Sequence, residues 1–288
     1  MATAYGVEKG RSRPATPSRG SPARVSPDPL RSSLAALIEG EIIPRLIASH
    51  RPVEIVRPSS SRAVSPVEAA EFARLPLTLE ADELVDRVDA LLSRGVEPGS
   101  VLVDLLAPSA RELGRMWEED ECSFVDVTMG LWRLQQVMRE LAWRAPPATG
   151  ASNDGPSALF STLPGEQHSF GTLMIGEVFT RGGWRSEVLI EPTRHDLLAA
   201  VGSQPFDLVG LTVSRDCPSG ELRKLVSAIR GVSHNGQVKI MIGGRLVNLD
   251  PSLADECGAD GTAPDAYSAL AFADRLVDAG RRLTLNPH

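Results

Sequence analysis

The sequence predicts a doubly wound parallel α/β sheet preceded by a four-helix bundle and a disordered N-terminal tail. Three observations predict it. Between residues 67 and 144 apolar side chains recur at helical spacing with only short breaks. Beyond a Pro- and Gly-rich stretch, short Val/Ile/Leu-rich runs alternate with helical patterns, as β/α units on a parallel sheet require. Residues 1–32, rich in Pro, Ser, Arg and Gly, have no apolar period and cannot bury enough surface to offset the entropy of ordering.

With 288 residues, 42% of them hydrophobic, the chain has room for two modest domains and a tail. Residues 1–66 carry ten Lys/Arg against five Asp/Glu, and the remainder carries twenty against thirty-two. An acidic body argues against a broad phosphate-binding face. The basic tail allows only weak or indirect DNA contact. No apolar run approaches the roughly 18 to 20 residues that span a bilayer, and the N-terminus lacks a signal-peptide core. The expectation is a cytoplasmic protein with no membrane partner. Cys122, Cys217 and Cys257 form no CxxC pair, so neither a disulfide nor a zinc site is expected.

The segments follow in order. Residues 33–66 read as an amphipathic helix and linker: Leu34, Leu37, Ile38, Ile42 and Ile43 share one face, and Pro44 interrupts it. Residues 67–145 hold four helices, at 67–74, 78–93, 98–118 and 123–144. Glu80, Asp82 and Glu83 suit a helix N-terminus, Gly95 a C-terminal cap and Pro98 a helix start. Pro108 predicts a kink. Residues 146–157, punctuated by Pro146, Pro147, Gly150, Gly155 and Pro156, read as a linker. Residues 158–288 form the Rossmann-like domain. Strands are predicted at 158–163, 186–190, 207–214, 239–243 and near 260–263, followed by helices at 172–181, 193–203, 219–230, 251–257 and 265–279. Five such units predict the flavodoxin-like strand order 2-1-3-4-5.

Ligands of such sheets bind at the carboxyl ends of the strands. There the first loop carries Glu166-Gln167-His168-Ser169-Phe170-Gly171, the third strand ends in Thr212-Val213-Ser214, and the fourth in Gly243-Gly244. Singly these have ordinary readings: a loop histidine lies at the surface, and a Gly-Gly pair makes a tight turn. His50, His195, His234 and His288 lie in no ligand spacing and read as surface residues.

Together, in this order, the three loops resemble the cobalamin-binding domain of methionine synthase and its relatives. That family's signature is Asp-x-His-x-x-Gly, Ser-x-Leu and Gly-Gly, behind a four-helix cap. Here it reads Glu166-x-His168-x-x-Gly171, Thr212-x-Ser214 and Gly243-Gly244. The resemblance implies a bound cobalamin, adenosyl- or hydroxocobalamin, with His168 as lower axial cobalt ligand in place of the cofactor's own base. Glu166 would fix the imidazole tautomer, directly or through water. Gln167, Ser169 and Phe170 would complete the loop against the cofactor, and Gly171 would let the backbone approach it. Thr212 would offer a hydroxyl to the buried tail nitrogen. Ser214 departs from the motif leucine and removes an apolar wall. Gly243 and Gly244 would leave room for the flat tail where a Cβ would clash.

Arg111-Glu-Leu-Gly-Arg-Met-Trp117 resembles the cap helix of light-sensing cobalamin regulators, in which a tryptophan covers the upper corrin face; Trp117 holds that position. Val127-Thr128 stand where those photoreceptors carry Glu-His, so their upper-face histidine is missing. A closer likeness joins Ile38-Glu-Gly-Glu-Ile-Ile-Pro-Arg-Leu46, Leu113-Gly-Arg-Met-Trp117 and Asp126-Val-Thr-Met-Gly-Leu-Trp-Arg-Leu134. These are similar to the AerR/PpaA antirepressors of purple photosynthetic bacteria. That resemblance implies a cobalamin-dependent, light- or redox-responsive regulator, not an enzyme, that binds a CrtJ/PpsR-type repressor. Two other functions compete: a corrinoid carrier subunit of a methyltransferase, and a flavodoxin-like interaction module that has lost its ligand. The basic tail and amphipathic segment favour the regulator, and retention of His168, Gly171 and the Gly-Gly pair disfavours a lost ligand.

Overall fold

A computed structural model describes residues 62–147 and 155–285, with side chains through residue 278. The expected tail at 1–32, the amphipathic segment up to residue 61 and most of the linker lie outside the described residues.

Helix α1 (Pro66–Phe72) starts on a capping box in which Ser65 and Glu68 satisfy each other's backbone N–H groups. A 3₁₀ turn, Leu75–Leu77, leads to α2 (Ala81–Ser93). This helix starts three residues later than its spacing predicts, because Glu80 and not Thr78 caps it. Glu83 returns its carboxylate to the Glu80 N–H at 2.9 Å. Gly95, at φ +82°, takes the left-handed conformation that ends the segment.

The third helix, α3, is continuous through three pieces: Pro98–Ser100, a π-helical Val101–Leu106, and Ala107–Glu118. At Pro108, where a kink is expected, the turns before the proline are π-helical. A proline cannot donate to the carbonyl four residues back and crowds it, and the preceding π pitch absorbs both defects. Helix α4 (Phe124–Arg144) begins on a second capping box, Ser123 with Asp126. Leu84, Val88, Leu102, Leu105, Leu106, Leu113, Leu134 and Val137 make the buried bundle core. Each contributes about 1.5–3 kcal/mol of apolar transfer. Met174 and Val178 join the same core, so bundle and sheet share one apolar seam.

The sheet is parallel, in order β2-β1-β3-β4: β1 is Ser157–Thr162, β2 Arg185–Leu189, β3 Leu208–Thr212 and β4 Lys239–Gly243. The helices are α5 (Phe170–Arg181), α6 (Arg194–Val201), α7 (Ser219–Val232), α8 (Arg245–Leu249), α9 (Leu253–Cys257) and α10 (Ala266–Leu285). The predicted order holds through the fourth strand. The predicted fifth strand shrinks to a single bridge between Met241 and Gly261, supported by Ile242 N–H to the Gly261 carbonyl at 3.1 Å. Gly258 and Gly261 weaken any extended run there, and Pro264 cannot donate to a ladder. Strand β3 is shorter than predicted, so Ser214 lies beyond it. All six β1 residues are buried, as a strand covered on both faces must be. Among the described residues no helix is long and apolar enough to cross a membrane.

Candidate functional site

Strand register sets Thr162, Thr212 and Gly243 side by side at the carboxyl edge. Above them the Pro164-Gly165 turn closes when the Glu166 N–H donates to the Leu163 carbonyl at 2.9 Å. Gly165 sits at φ +78°, which glycine alone adopts without strain. The turn drives Glu166 inward until it is only 1% exposed.

That buried carboxylate is the hub of the site. One oxygen accepts the His168 backbone N–H at 3.1 Å and also meets the ring Nδ1 directly. The other accepts the Arg215 backbone N–H at 3.0 Å. Burial pushes the Glu166 carboxyl up, but the hydrogen bonds from the His168 backbone and ring and from Arg215 outweigh it. They hold the group below the ordinary carboxylate range. The His168 side chain is 71% exposed. With Nδ1 engaged, Nε2 is the nitrogen left for a ligand. The Arg215 guanidinium also donates to the Pro164 carbonyl at 3.2 Å, tying the loop after β3 to the turn after β1. Arg215 went unpredicted, since a backbone N–H leaves no mark on residue type.

The other predicted residues separate into groups. Gln167 is exposed beside His168, and Ser169 starts α5 without a side-chain capping bond. Phe170 packs against the bundle core, so it serves the seam between bundle and sheet. Thr212 accepts a 2.9 Å hydrogen bond from Thr172 Oγ1. Ser214 is half-buried beside Arg215. Gly171 and Gly243 border open space, because a Cβ at either would meet nothing within 4 Å. Gly244 differs. Its φ is +106°, and a Cβ would lie 2.7 Å from the Val213 carbonyl oxygen. The second glycine is therefore required by the Val213 backbone just beyond β3, whatever room it also leaves for a ligand.

On the bundle side Trp117 is 47% exposed and so is not a core residue. Its ring meets that of Phe124 edge-on, with centroids 6.5 Å apart. Phe124 was also unpredicted, though a phenylalanine directly after the Ser123 cap, where the fold does not call for one, is a signal. The next residue, Glu118, is ion-paired with Arg245, which follows Gly244; one of the two contacts measures 3.1 Å. This pair draws the Trp117 turn toward the Gly243-Gly244 turn. At the opposite end of α4, Arg181 donates to the Ala145 carbonyl at 2.8 Å and pairs with Glu177 at 2.7 Å.

Among the described residues no three His, Cys, Asp or Glu side chains could hold a metal ion together. Residues 69–142 match the family described as the B12 binding domain. The chain is 27% identical, over 152 residues, to an uncharacterized 20.5 kDa protein in the bchF-crtJ intergenic region of Rhodobacter capsulatus. That match covers 53% of this chain and 79% of the relative. It is 23% identical over 200 residues to a corrinoid protein of Desulfitobacterium hafniense strain Y51, covering 68% of this chain and 84% of the relative. The monomethylamine corrinoid protein of Methanosarcina barkeri shares the fold, with a TM-score of 0.60 at 15% identity. That likeness spans 72% of this chain and 96% of the other. The chain thus carries a B12-binding-domain match and is similar to corrinoid proteins.

Proposed function

We propose that this chain binds cobalamin between Trp117 and His168 and works in the cytoplasm as an antirepressor of the AerR/PpaA kind. It responds to light or redox state through the cofactor and binds a CrtJ/PpsR-type repressor to control photosynthesis genes, without catalysing a reaction of its own. The observation that carries the cobalamin reading is the exposed His168 ring whose Nδ1 is fixed by buried Glu166, with Nε2 left for cobalt. Gly243 borders open space for the nucleotide tail, Thr212 offers it a hydroxyl, and Trp117 with Phe124 gives an apolar cover. When bound, cobalamin supplies a cobalt whose upper ligand exchanges or is cleaved by light. The protein answers by shifting between arrangements of the bundle over the sheet, biased by their different contacts with the cofactor.

The regulatory part draws support from the relative in the bchF-crtJ intergenic region and from the AerR/PpaA-like stretches of sequence. A second reading, a corrinoid carrier subunit for a methyltransferase, is favoured by the similarity to a corrinoid protein. An absorption titration with adenosyl- and hydroxocobalamin, in dark and light and beside His168→Ala, tests the cofactor. A saturable, histidine-dependent change is expected, and no binding of either form overturns the reading. Affinity for a CrtJ/PpsR-type repressor, with and without cobalamin in light and dark, tests the switch. Equal affinity in all four conditions sinks it and leaves the carrier.

A further inference from the structure

We propose that Thr172 is a positioning residue that holds the Thr212 hydroxyl with its proton directed away from α5 toward the sheet edge, so that this edge favours a ligand whose buried end presents an acceptor. The inference rests on the cobalamin reading, in which that end is the nucleotide tail with its aromatic ring nitrogen.

Thr172 is the third residue of α5 and fully buried. The usual use of a helical threonine's proton is the carbonyl four residues back. Two other threonines of this chain use it so: Thr128 donates to the Phe124 carbonyl at 2.7 Å and Thr180 to the Gly176 carbonyl at 2.9 Å. Thr172 instead reaches out of its helix to Oγ1 of Thr212, the last residue of β3, at 2.9 Å. Being fully buried with no other acceptor among the described residues, Thr172 is the donor of the pair, and the half-buried Thr212 accepts. A hydroxyl has one proton and two lone pairs. The Thr172 proton occupies a lone pair of Thr212, and among the described residues no acceptor takes the Thr212 proton in return. Thr212 lies in register with Gly243, where a Cβ would meet only open space. The donor therefore stands at the edge of the space a flat ring would enter. Without Thr172 the Thr212 hydroxyl is free to rotate and to accept as readily as donate, and the preference for an acceptor is lost.

The test compares cobalamin with cobinamide, the same corrin without the nucleotide tail, on the full chain and its Thr172→Val, Thr172→Ala and Thr172→Ser variants. Loss of one neutral hydrogen bond predicts about fivefold weaker cobalamin binding by the valine and alanine variants. Cobinamide affinity should be unchanged in both, which also reports an intact fold, and serine should restore the cobalamin value. An equal loss for both ligands in valine and alanine, or no loss for cobalamin, overturns the role of Thr172. Failure of the unsubstituted chain to bind either corrinoid overturns the cobalamin reading itself, and this inference with it.

Discussion

At the sheet edge, His168 stands on a frame of buried hydrogen bonds: Glu166 accepts from the His168 and Arg215 backbones while holding the ring. On the bundle side, the exposed rings of Trp117 and Phe124 meet across the turn from α3 to α4, and Glu118 beside Trp117 reaches the sheet side through an exposed ion pair with Arg245. The first side is directional and built from three points of the chain. The second is apolar, non-directional and held by a contact of a kind worth about 0.2–1 kcal/mol. The contrast teaches that geometry is fixed where a buried carboxylate holds the His168 ring and left soft where two exposed aromatic rings meet.

The contrast breaks most directly at His168. Replacing it with alanine should weaken cobalamin binding about 100-fold and abolish the histidine-dependent absorption change. An unaltered titration would remove it from the role. Glu166→Gln comes next. It puts an amide where the ring Nδ1 needs an acceptor, and orienting partners of ligand histidines are worth about 10–100-fold in affinity. A titration with wild-type affinity would show that the carboxylate does not orient the ring. Trp117→Ala tests the soft side: affinity should fall only about threefold to tenfold, with the absorption spectrum retained, as expected for loss of aromatic contact area. A thermal midpoint lowered by as much as for a core tryptophan would contradict the exposure seen here.

The smallest effect concerns the ion cluster behind Trp117. The hydrogen bond from Arg115, assisted by Arg74 against the opposing effect of burial, lowers the Glu112 pKa to about 2. A depressed carboxylate stabilises the fold fully above its ordinary value of 4.5, and that stability drains away as pH falls toward 2. Because the pair is partly exposed, the amount is at most about 1 kcal/mol. Glu112→Gln should therefore flatten the acid side of a thermal-midpoint profile between about pH 5 and pH 2 and leave the neutral midpoint almost unmoved. A profile that parallels wild type throughout would show the cluster to be energetically idle.

Much of this architecture was legible in the chain because its causes are local. Helical and two-residue apolar periods exposed the bundle and the first four strands. The loop from Glu166 to Gly171 announced itself by where it falls, at the end of a strand. What escaped has causes that are distant or carried by the backbone. Arg215 acts through its N–H, and Glu118 meets a partner 127 residues away. The π segment before Pro108 answers a steric problem whose solution residue type does not specify. At Gly244 the carbonyl that forbids a side chain belongs to Val213, 31 residues earlier in the chain, so the backbone's own need for that glycine left no mark nearby in the sequence.

The anchor at Ala145 has a mechanical consequence. Helix α4 has 21 residues, which at about 1.5 Å of rise apiece makes an arm of about 30 Å. Arg181 grips the far tip of that arm, and Phe124, exposed and edge-on to Trp117 of α3, sits at the near tip. On a rod of this length a tilt of about 5° sweeps the free tip through about 3 Å, close to the thickness of one aromatic ring. On the proposed reading, a fulcrum at one end turns a change of one ligand's bulk into a displacement of surface large enough for a second macromolecule to feel.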